Sequence, residues 1–191
     1  MKKNHLILIG VAIVAIVCFL WVKGTYNGMV TEEENATTAL ANVQSAYQRR
    51  LDLIPNLVEV VKGYASHERE TLEGVVNARA KATSITLTAD NIQEFQKAQG
   101  ELSSALNKLM AIREAYPDMK ANENFRDLQV QLEGTENRIN EERNKANQKI
   151  QDYNIKIRRF PSNILAGMFG FEKMNKFEAE AGAEKAPKVS F

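Results

Sequence analysis

An uninterrupted apolar run near the N-terminus constrains this chain more than any other feature. Its 17 residues, from Leu6 to Val22, carry no charge and almost no polar group. A helix rises ~1.5 Å per residue, so the run is at the short end of lengths that cross a hydrocarbon core of ~30 Å. Trp21 at its far edge suits the interfacial aromatic belt. A cleaved signal peptide is the alternative, but no A-x-A-like cleavage site follows the run. We therefore predict an uncleaved membrane anchor.

The charges beside this run predict its orientation. Lys2 and Lys3 precede it. Lys23 follows it, but three glutamates at 32–34 come shortly after and offset that positive charge. Because the cytoplasmic flank carries the excess of Lys and Arg, we expect the N-terminus in the cytoplasm and the rest of the chain on the extracytoplasmic side. Residues 1–24 are thus predicted to be the cytoplasmic stub and transmembrane anchor of a single-pass protein.

The composition of the remaining chain excludes several classes of protein. Roughly 165 residues follow the anchor, which suffices for one domain. Across the chain 25 basic residues face 24 acidic ones, so no strong field attracts nucleic acid, and we expect no such partner. The single cysteine, Cys18, lies within the apolar run, so no intramolecular disulfide can form. Only four prolines and ten glycines interrupt the chain, which favours long helices.

Three apolar stripes with alternating steps of three and four residues indicate amphipathic helices. They occupy residues 40–64, 92–116 and 125–160. Polar side chains enter these stripes at Gln99 and Thr135, which favours a helical bundle over a strict coiled coil. We predict an all-α fold in which residues 25–177 form an antiparallel up-and-down bundle. Residues 178–191 are predicted to be a flexible tail, because 178–187 lack large apolar side chains.

Pro55 decides the predicted number of helices. Its neighbours continue the apolar stripe without a glycine, which favours a kinked but continuous helix. An unbroken helix over residues 26–84 would be ~90 Å long, and its stripe from Leu40 to Ile54 would lie uncovered. That three-helix arrangement predicts self-association through the exposed half. A break near Pro55 gives four helices instead, and we favour this second arrangement.

No motif of a catalytic or metal-binding site is evident. His67-Glu68 looks like half of a zinc-binding helix motif, but the second histidine position is Thr71. His5 is the only other histidine. The serines lack a partnered histidine and a glycine elbow, and no glycine-rich phosphate loop is present. We therefore expect no enzyme activity, no metal site and no cofactor.

Arg49 and Arg50, beside Asp52 and close to Pro55, are the first candidate site residues. They could pair across the bundle, or they could form local ion pairs. A second feature is a row of asparagines seven residues apart, Asn140, Asn147 and Asn154. These amides could hydrogen-bond across helices and specify register. We favour the alternative of a polar edge that faces solvent.

A basic cluster followed by an apolar segment is the second candidate contact region. Lys156, Arg158 and Arg159 precede the segment Ile164–Phe171, which contains Phe169 and Phe171. In a four-helix arrangement this end returns to the membrane side. The basic groups would then meet anionic headgroups while the two phenylalanines enter the interface. The alternative, which we favour, is a C-terminal segment that packs back on the bundle.

Several sequence blocks cover nearly the whole chain and share the pattern of one family. They are Tyr26-Asn27, Arg49–Ala65 (RRLDLIPNLVEVVKGYA), His67-Glu68, Ala78-Arg79, Glu114–Ala121 (EAYPDMKA), Asn124-Phe125, Leu128, Arg143, Tyr153-Asn154 and Phe160–Phe171. In these blocks the chain resembles the LemA family. The resemblance implies a bacterial inner-membrane protein with a single span, an antiparallel helical bundle and no established enzymatic activity. The chain departs from the family at Ala146-Asn147, where a Tyr-Asn pair is usual.

Tethering, a large helical surface and the lack of catalytic motifs together predict an interaction module. We expect a membrane-anchored scaffold of the bacterial envelope that docks another protein or itself, and a tether raises its local concentration for membrane partners. The alternative is a membrane-shaping or lipid-contacting protein that acts through the basic and apolar C-terminal segment.

Overall fold

The computed structural model describes residues 2–178, with side chains from residue 4 onward. Helix α1 spans Lys2–Tyr64, α2 Arg69–Thr83, α3 Ile92–Ile112, α4 Pro117–Ala121, α5 Glu123–Arg158 and α6 Ser162–Phe169. A 3-10 turn at Arg113–Ala115 precedes α4. No strand occurs over residues 2–178, and the predicted all-α fold is confirmed. The tail predicted at 178–191 lies outside the described residues except for Glu178.

The chain divides into two compact units. Of the described residues, the first unit contains 2–38 together with 148–174, and the second contains 39–147 and 175–178. Helices α1 and α5 each contribute residues to both units. The first unit therefore carries the apolar run, and the second carries the greater part of the buried core.

The apolar run in the first unit is fully exposed along α1. Large side chains such as Leu6, Ile13 and Phe19 are more than half exposed. Within the described residues, α1 is the one helix long and apolar enough to cross a membrane. Exposed hydrocarbon side chains are stable in a lipid environment, whereas water would penalise them. The structure thus contains the predicted candidate transmembrane helix, and its orientation stays a prediction.

The second unit buries the first two predicted stripes and the third stripe up to residue 147. The stripe of α1 from Leu40 to Ile54 is buried, and the Tyr47 ring meets the Phe95 ring of α3 edge-on, with centroids 5.0 Å apart. A continuous cluster joins Ile54 to Leu102 of α3 and Phe125 of α5. The half of α1 that we expected an unbroken helix to leave exposed is therefore covered, and it offers no ready surface for self-association.

The favoured break at Pro55 is wrong, because α1 continues through this residue to Tyr64. Proline has no N–H to donate to the carbonyl four residues earlier, which here belongs to Leu51. Arg79 of α2 supplies the missing donor: its Nε lies 2.9 Å from the Leu51 oxygen. The carbonyl freed by Pro55 is thus satisfied, and the helix has no unpaired acceptor at this point. The actual interruption lies at residues 65–68, between α1 and α2.

Replacing Arg79 with alanine should lower the free energy of unfolding by about 1–2 kcal/mol, the cost of an unpaired and partly buried carbonyl. The same change in a Pro55→Ala background should cost less, since an alanine N–H can bond to Leu51. Chemical unfolding of the wild type, the two single variants and the double variant measures this coupling. Equal costs of Arg79→Ala in both backgrounds would contradict the assignment.

Side-chain hydrogen bonds in the second unit fix the C-terminal end of α1 and the N-terminal end of α5. Asn122 caps α5, because its Oδ1 accepts the Phe125 N–H at 3.0 Å. The same side chain donates to the Tyr64 hydroxyl at 2.9 Å. Tyr116 in turn donates to Glu68 at 3.2 Å. These bonds attach the end of α1 and the turn before α2 to the segment between α3 and α5.

Candidate functional site

A buried arginine at the centre of the second unit links three helices. Arg50 of α1 is 3% exposed, and its Nη1 donates to Ser103 Oγ at 3.0 Å and to Glu136 Oε2 at 2.8 Å. Its Nη2 donates to Gln99 Oε1 at 2.9 Å. The planar guanidinium presents donors in a fixed fork, which suits contacts with two helices at once. Of the predicted pair, Arg50 therefore joins α1 to α3 and α5, whereas Arg49 is exposed.

This polar cluster is not fully satisfied. The Arg50 Nε and the Gln99 Nε2 are buried without a hydrogen-bond partner in the described structure. Buried donors without partners cost free energy and are uncommon in stable interiors. The Arg50 guanidinium also lies over the Tyr47 ring, 5.1 Å from its centroid. The sequence signal for this cluster was Gln99, a polar residue at a core position of the second stripe.

An open groove between α3 and α5 begins at this cluster. Its cavity of roughly 600 Å³ is lined by apolar side chains of both helices and by polar side chains at its rim. The lining residues that define it are Arg50, Asn107, Met110, Gln129, Leu132 and Glu136. We call this surface the α3–α5 groove. A neighbouring depression shares Arg50, Ser103 and Asn107 with it and extends to Glu178.

Extended backbone at the C-terminal end of the described chain binds to α5 through asparagine amides. In the second unit, Asn147 Nδ2 donates to the Phe177 carbonyl at 3.0 Å, and its Oδ1 accepts the Phe177 N–H at 2.8 Å. In the first unit, Asn154 makes the same pair of bonds with Met174, at 2.9 and 3.0 Å. Each amide thus binds one residue of main chain as a neighbouring strand would.

The spacing of these asparagines has a physical reason. Seven residues of helix rise ~10.5 Å, and three residues of extended chain span ~10 Å. The pair of hydrogen bonds that Asn154 makes with Met174 can therefore form again between Asn147 and Phe177. The solvent-facing edge that we favoured is therefore wrong for Asn147 and Asn154, and Asn154 is buried. Asn140 is exposed and makes no side-chain hydrogen bond within the described residues.

Glu178, the last described residue, forms hydrogen bonds through both its main-chain N–H and its main-chain carbonyl. Gln96 of α3 donates to its carbonyl at 2.7 Å and accepts its N–H at 3.2 Å. Arg143 of α5 donates to the same carbonyl at 2.7 Å, and its guanidinium lies 5.6 Å from the Phe177 ring centroid. The end of the extended segment therefore contacts both α3 and α5, and Glu178 lines the depression that neighbours the α3–α5 groove.

Tyr153 secures the same segment in the first unit. Its hydroxyl donates to the Glu172 carbonyl at 2.9 Å. Burial, assisted by the nearby Glu33 and Glu172 carboxylates, raises the pKa of Tyr153 to about 12. The neutral phenol is the form that this environment favours.

We expect alkaline pH to weaken the fold through Tyr153. An unfolded chain loses the phenol proton near the ordinary pKa of 10.0, whereas the folded chain holds it to about 12. The resulting stabilisation is complete below pH ~10 and is lost as the pH rises through ~12. Spectrophotometric titration should show a tyrosinate component at a pKa of about 12 that Tyr153→Phe removes and Tyr26→Phe retains. The pKa of Tyr116 is also raised, by burial and by Glu68, so Tyr116→Phe identifies its separate contribution. If Tyr26→Phe removed that component instead, the component would belong to Tyr26 and the prediction for Tyr153 would be wrong.

The predicted C-terminal contact residues lie in the first unit. The Tyr26 ring of α1 meets the rings of Phe169 and Phe171, with centroids 4.9 and 5.7 Å away. Lys156 approaches Gly28 so closely that a Cβ there would lie 3.0 Å from its Cε and Nζ. This part of the segment packs back on α1. Arg158 and Arg159, by contrast, are exposed.

Within the described residues, no group of three or more His, Cys, Asp or Glu side chains could hold a metal ion. The described residues carry two kinds of candidate surface. In the second unit it is a groove with a buried polar base, and in the first unit it is an apolar and basic region beside α1.

The described residues define an all-helical protein with one candidate membrane span. The chain belongs to the LemA family, whose model matches residues 39–191. It is 25% identical to the magnetosome protein MamQ of Magnetospirillum gryphiswaldense, over 92% of this chain and 74% of that protein. It is 24% identical to the magnetosome protein MamQ 2 of Paramagnetospirillum magneticum, over 83% and 66%. Protein LemA of Metamycoplasma hominis is 24% identical over 93% and 80%.

Proposed function

We propose that this chain is a membrane-anchored, non-enzymatic docking module of the bacterial envelope. Its α3–α5 groove receives a protein, either an extended segment of another envelope protein or a second copy of the chain. The N-terminus of α1 lies in the cytoplasm, and the groove faces the extracytoplasmic side. This orientation follows the distribution of Lys and Arg around the apolar run.

The observation that supports this proposal is an open groove close to a bound extended segment. The chain's own segment is held by Asn147, Gln96 and Arg143, which contact its main chain rather than its side chains. The α3–α5 groove itself is open from Asn107 to Gln129 and mixes apolar walls with polar rims, and the depression that reaches Glu178 shares Asn107 with it. A surface that already binds extended backbone has the donors and acceptors that a partner's extended segment needs. Recognition through main chain also tolerates varied partner sequences.

Site-specific photo-crosslinking in native membranes tests this proposal. A photoreactive residue at Gln129 in the α3–α5 groove should give a discrete protein adduct. The same residue at Glu73, which is exposed on α2 and outside the groove, should not. Adding Asn107→Trp, which fills the groove opposite Gln129, should remove the adduct. Adducts of equal yield at both positions, or none in the groove, would refute the docking role.

A further inference from the structure

The short helix α6 exposes large apolar side chains on one side. Phe160, just before it, is 77% exposed, and Ile164 and Met168 are 55% and 73% exposed. Ile164 and Met168 are four residues apart within α6, which places them on one helical face, while Phe160 lies in the turn that precedes the helix. The opposite side is buried through Leu165 and Ala166. Soluble surfaces rarely gather apolar groups of this size without a partner.

Contacts with Tyr26 place this helix beside the end of the candidate membrane span. Phe169, the last residue of α6, meets the Tyr26 ring at 4.9 Å. Tyr26 follows Val22, the last apolar residue of the run, by four residues or ~6 Å of helix. The headgroup layers add ~10–15 Å in total to a hydrocarbon core of ~30 Å, or roughly 5–8 Å on each side. When α1 spans a bilayer, α6 is therefore at the depth of a headgroup layer.

The charges near α6 favour anionic lipid. Arg158 and Arg159 are exposed immediately before it, and Lys173 is exposed just after it. The acidic groups closest to them in sequence are Asp152, six residues before Arg158, and Glu172, next to Lys173. The glutamates at 32–34 follow Val22 by at least ten residues, or ~15 Å of helix, which is beyond the headgroup layer. Basic side chains near a membrane surface attract anionic headgroups.

We propose that the exposed face of α6 inserts into the headgroup layer of the bilayer that α1 enters. Phe160, Ile164 and Met168 enter the boundary with the acyl chains, and Arg158 and Arg159 bind the phosphates of anionic lipids. The helix is then a second membrane contact, formed by the end of the chain distant from the anchor. This contact depends on α1 as a span and is independent of the α3–α5 groove.

Depth-dependent fluorescence quenching on the full-length chain tests this contact. Cys18→Ser removes the single cysteine, and a cysteine at Ile164 or Met168 then carries an environment-sensitive fluorophore. The matched control carries the probe at Asp152, which is exposed on α5 in the same unit. In vesicles with anionic lipid, probes at 164 and 168 should shift to the blue and be quenched by a lipid-borne quencher. They should be several-fold less sensitive to aqueous iodide than the probe at 152.

Three results would overturn the proposal. A probe at 164 as accessible to iodide as the one at 152 would place α6 in water. A blue shift without quenching from the lipid would mean that a protein surface covers this face. Identical depth in neutral and anionic vesicles, unchanged by Arg158→Gln with Arg159→Gln, would remove the role of the arginines. Helical content by circular dichroism verifies each variant, and all substituted side chains outside the span are exposed.

Discussion

Arg50→Ala will destabilise the second unit by about 3 kcal/mol, the loss expected when one partner of a buried ion pair is removed. The change leaves the Gln99 side chain, which is 2% exposed, without its donor. Glu136 loses the same partner but is more exposed, with 40% of its side chain accessible, so water compensates part of its loss. Denaturant unfolding followed by circular dichroism measures the difference.

The adjacent arginine supplies the matched control. Arg49 is exposed, so Arg49→Ala should change the free energy of unfolding by less than about 0.5 kcal/mol. Arg50→Met adds a second comparison, since it fills the volume but leaves the same amide unpaired. A similar small effect of both alanine substitutions would show that the buried cluster contributes nothing to stability.

Asn154→Ala should release the C-terminal segment from α5. The substitution removes two hydrogen bonds and leaves the Met174 N–H and carbonyl buried without partners. The expected cost is about 2–3 kcal/mol, which corresponds to roughly 30- to 150-fold more frequent opening of the segment. Hydrogen exchange of the amides in residues 171–178 reports this opening directly.

Asn140→Ala is the control within the same row of asparagines. Asn140 is exposed and makes no side-chain hydrogen bond within the described residues, so exchange of the segment should not change. Asn147→Ala should have a smaller effect than Asn154→Ala, because Asn147 is only half-buried. Equal exchange in the Asn140 and Asn154 variants would show that the amides do not hold the segment.

The helices were predictable because their signals are local. The apolar stripes of the sequence are the buried faces of α1, α3 and α5, since the period of a helix fixes which residues share a face. The continuity of α1 through Pro55 was not predictable by the same means. The missing N–H of Pro55 is evident from the sequence, but the donor that compensates for it comes from Arg79, 28 residues after the Leu51 carbonyl that accepts it. Local rules for proline fail when tertiary structure provides the bond.

The site was predictable only in part, for a related reason. Gln99 indicated a buried polar group, and Arg50 was a candidate for pairing across the bundle. Nothing in the pattern joined these two residues or identified Glu136 as their partner. The asparagine row was visible from its spacing, yet its binding partner is an extended segment without helical periodicity. Pattern analysis identifies faces of helices, whereas it gives no register for a chain that packs against them.

Side-chain amides that hydrogen-bond to main-chain groups restrict the length of the bound segment far more than its amino-acid composition. Met174 is bonded through its N–H and its carbonyl, so most residue types could stand there with the Asn154 contacts intact. Proline could not, because it lacks the donor. Substitutions at the exposed positions of the C-terminal segment should therefore be tolerated where insertions and deletions are not, whereas Met174 and Phe177 should stay apolar because their side chains are buried. The number of residues between the end of α5 and Met174 should be the most constrained feature of this region.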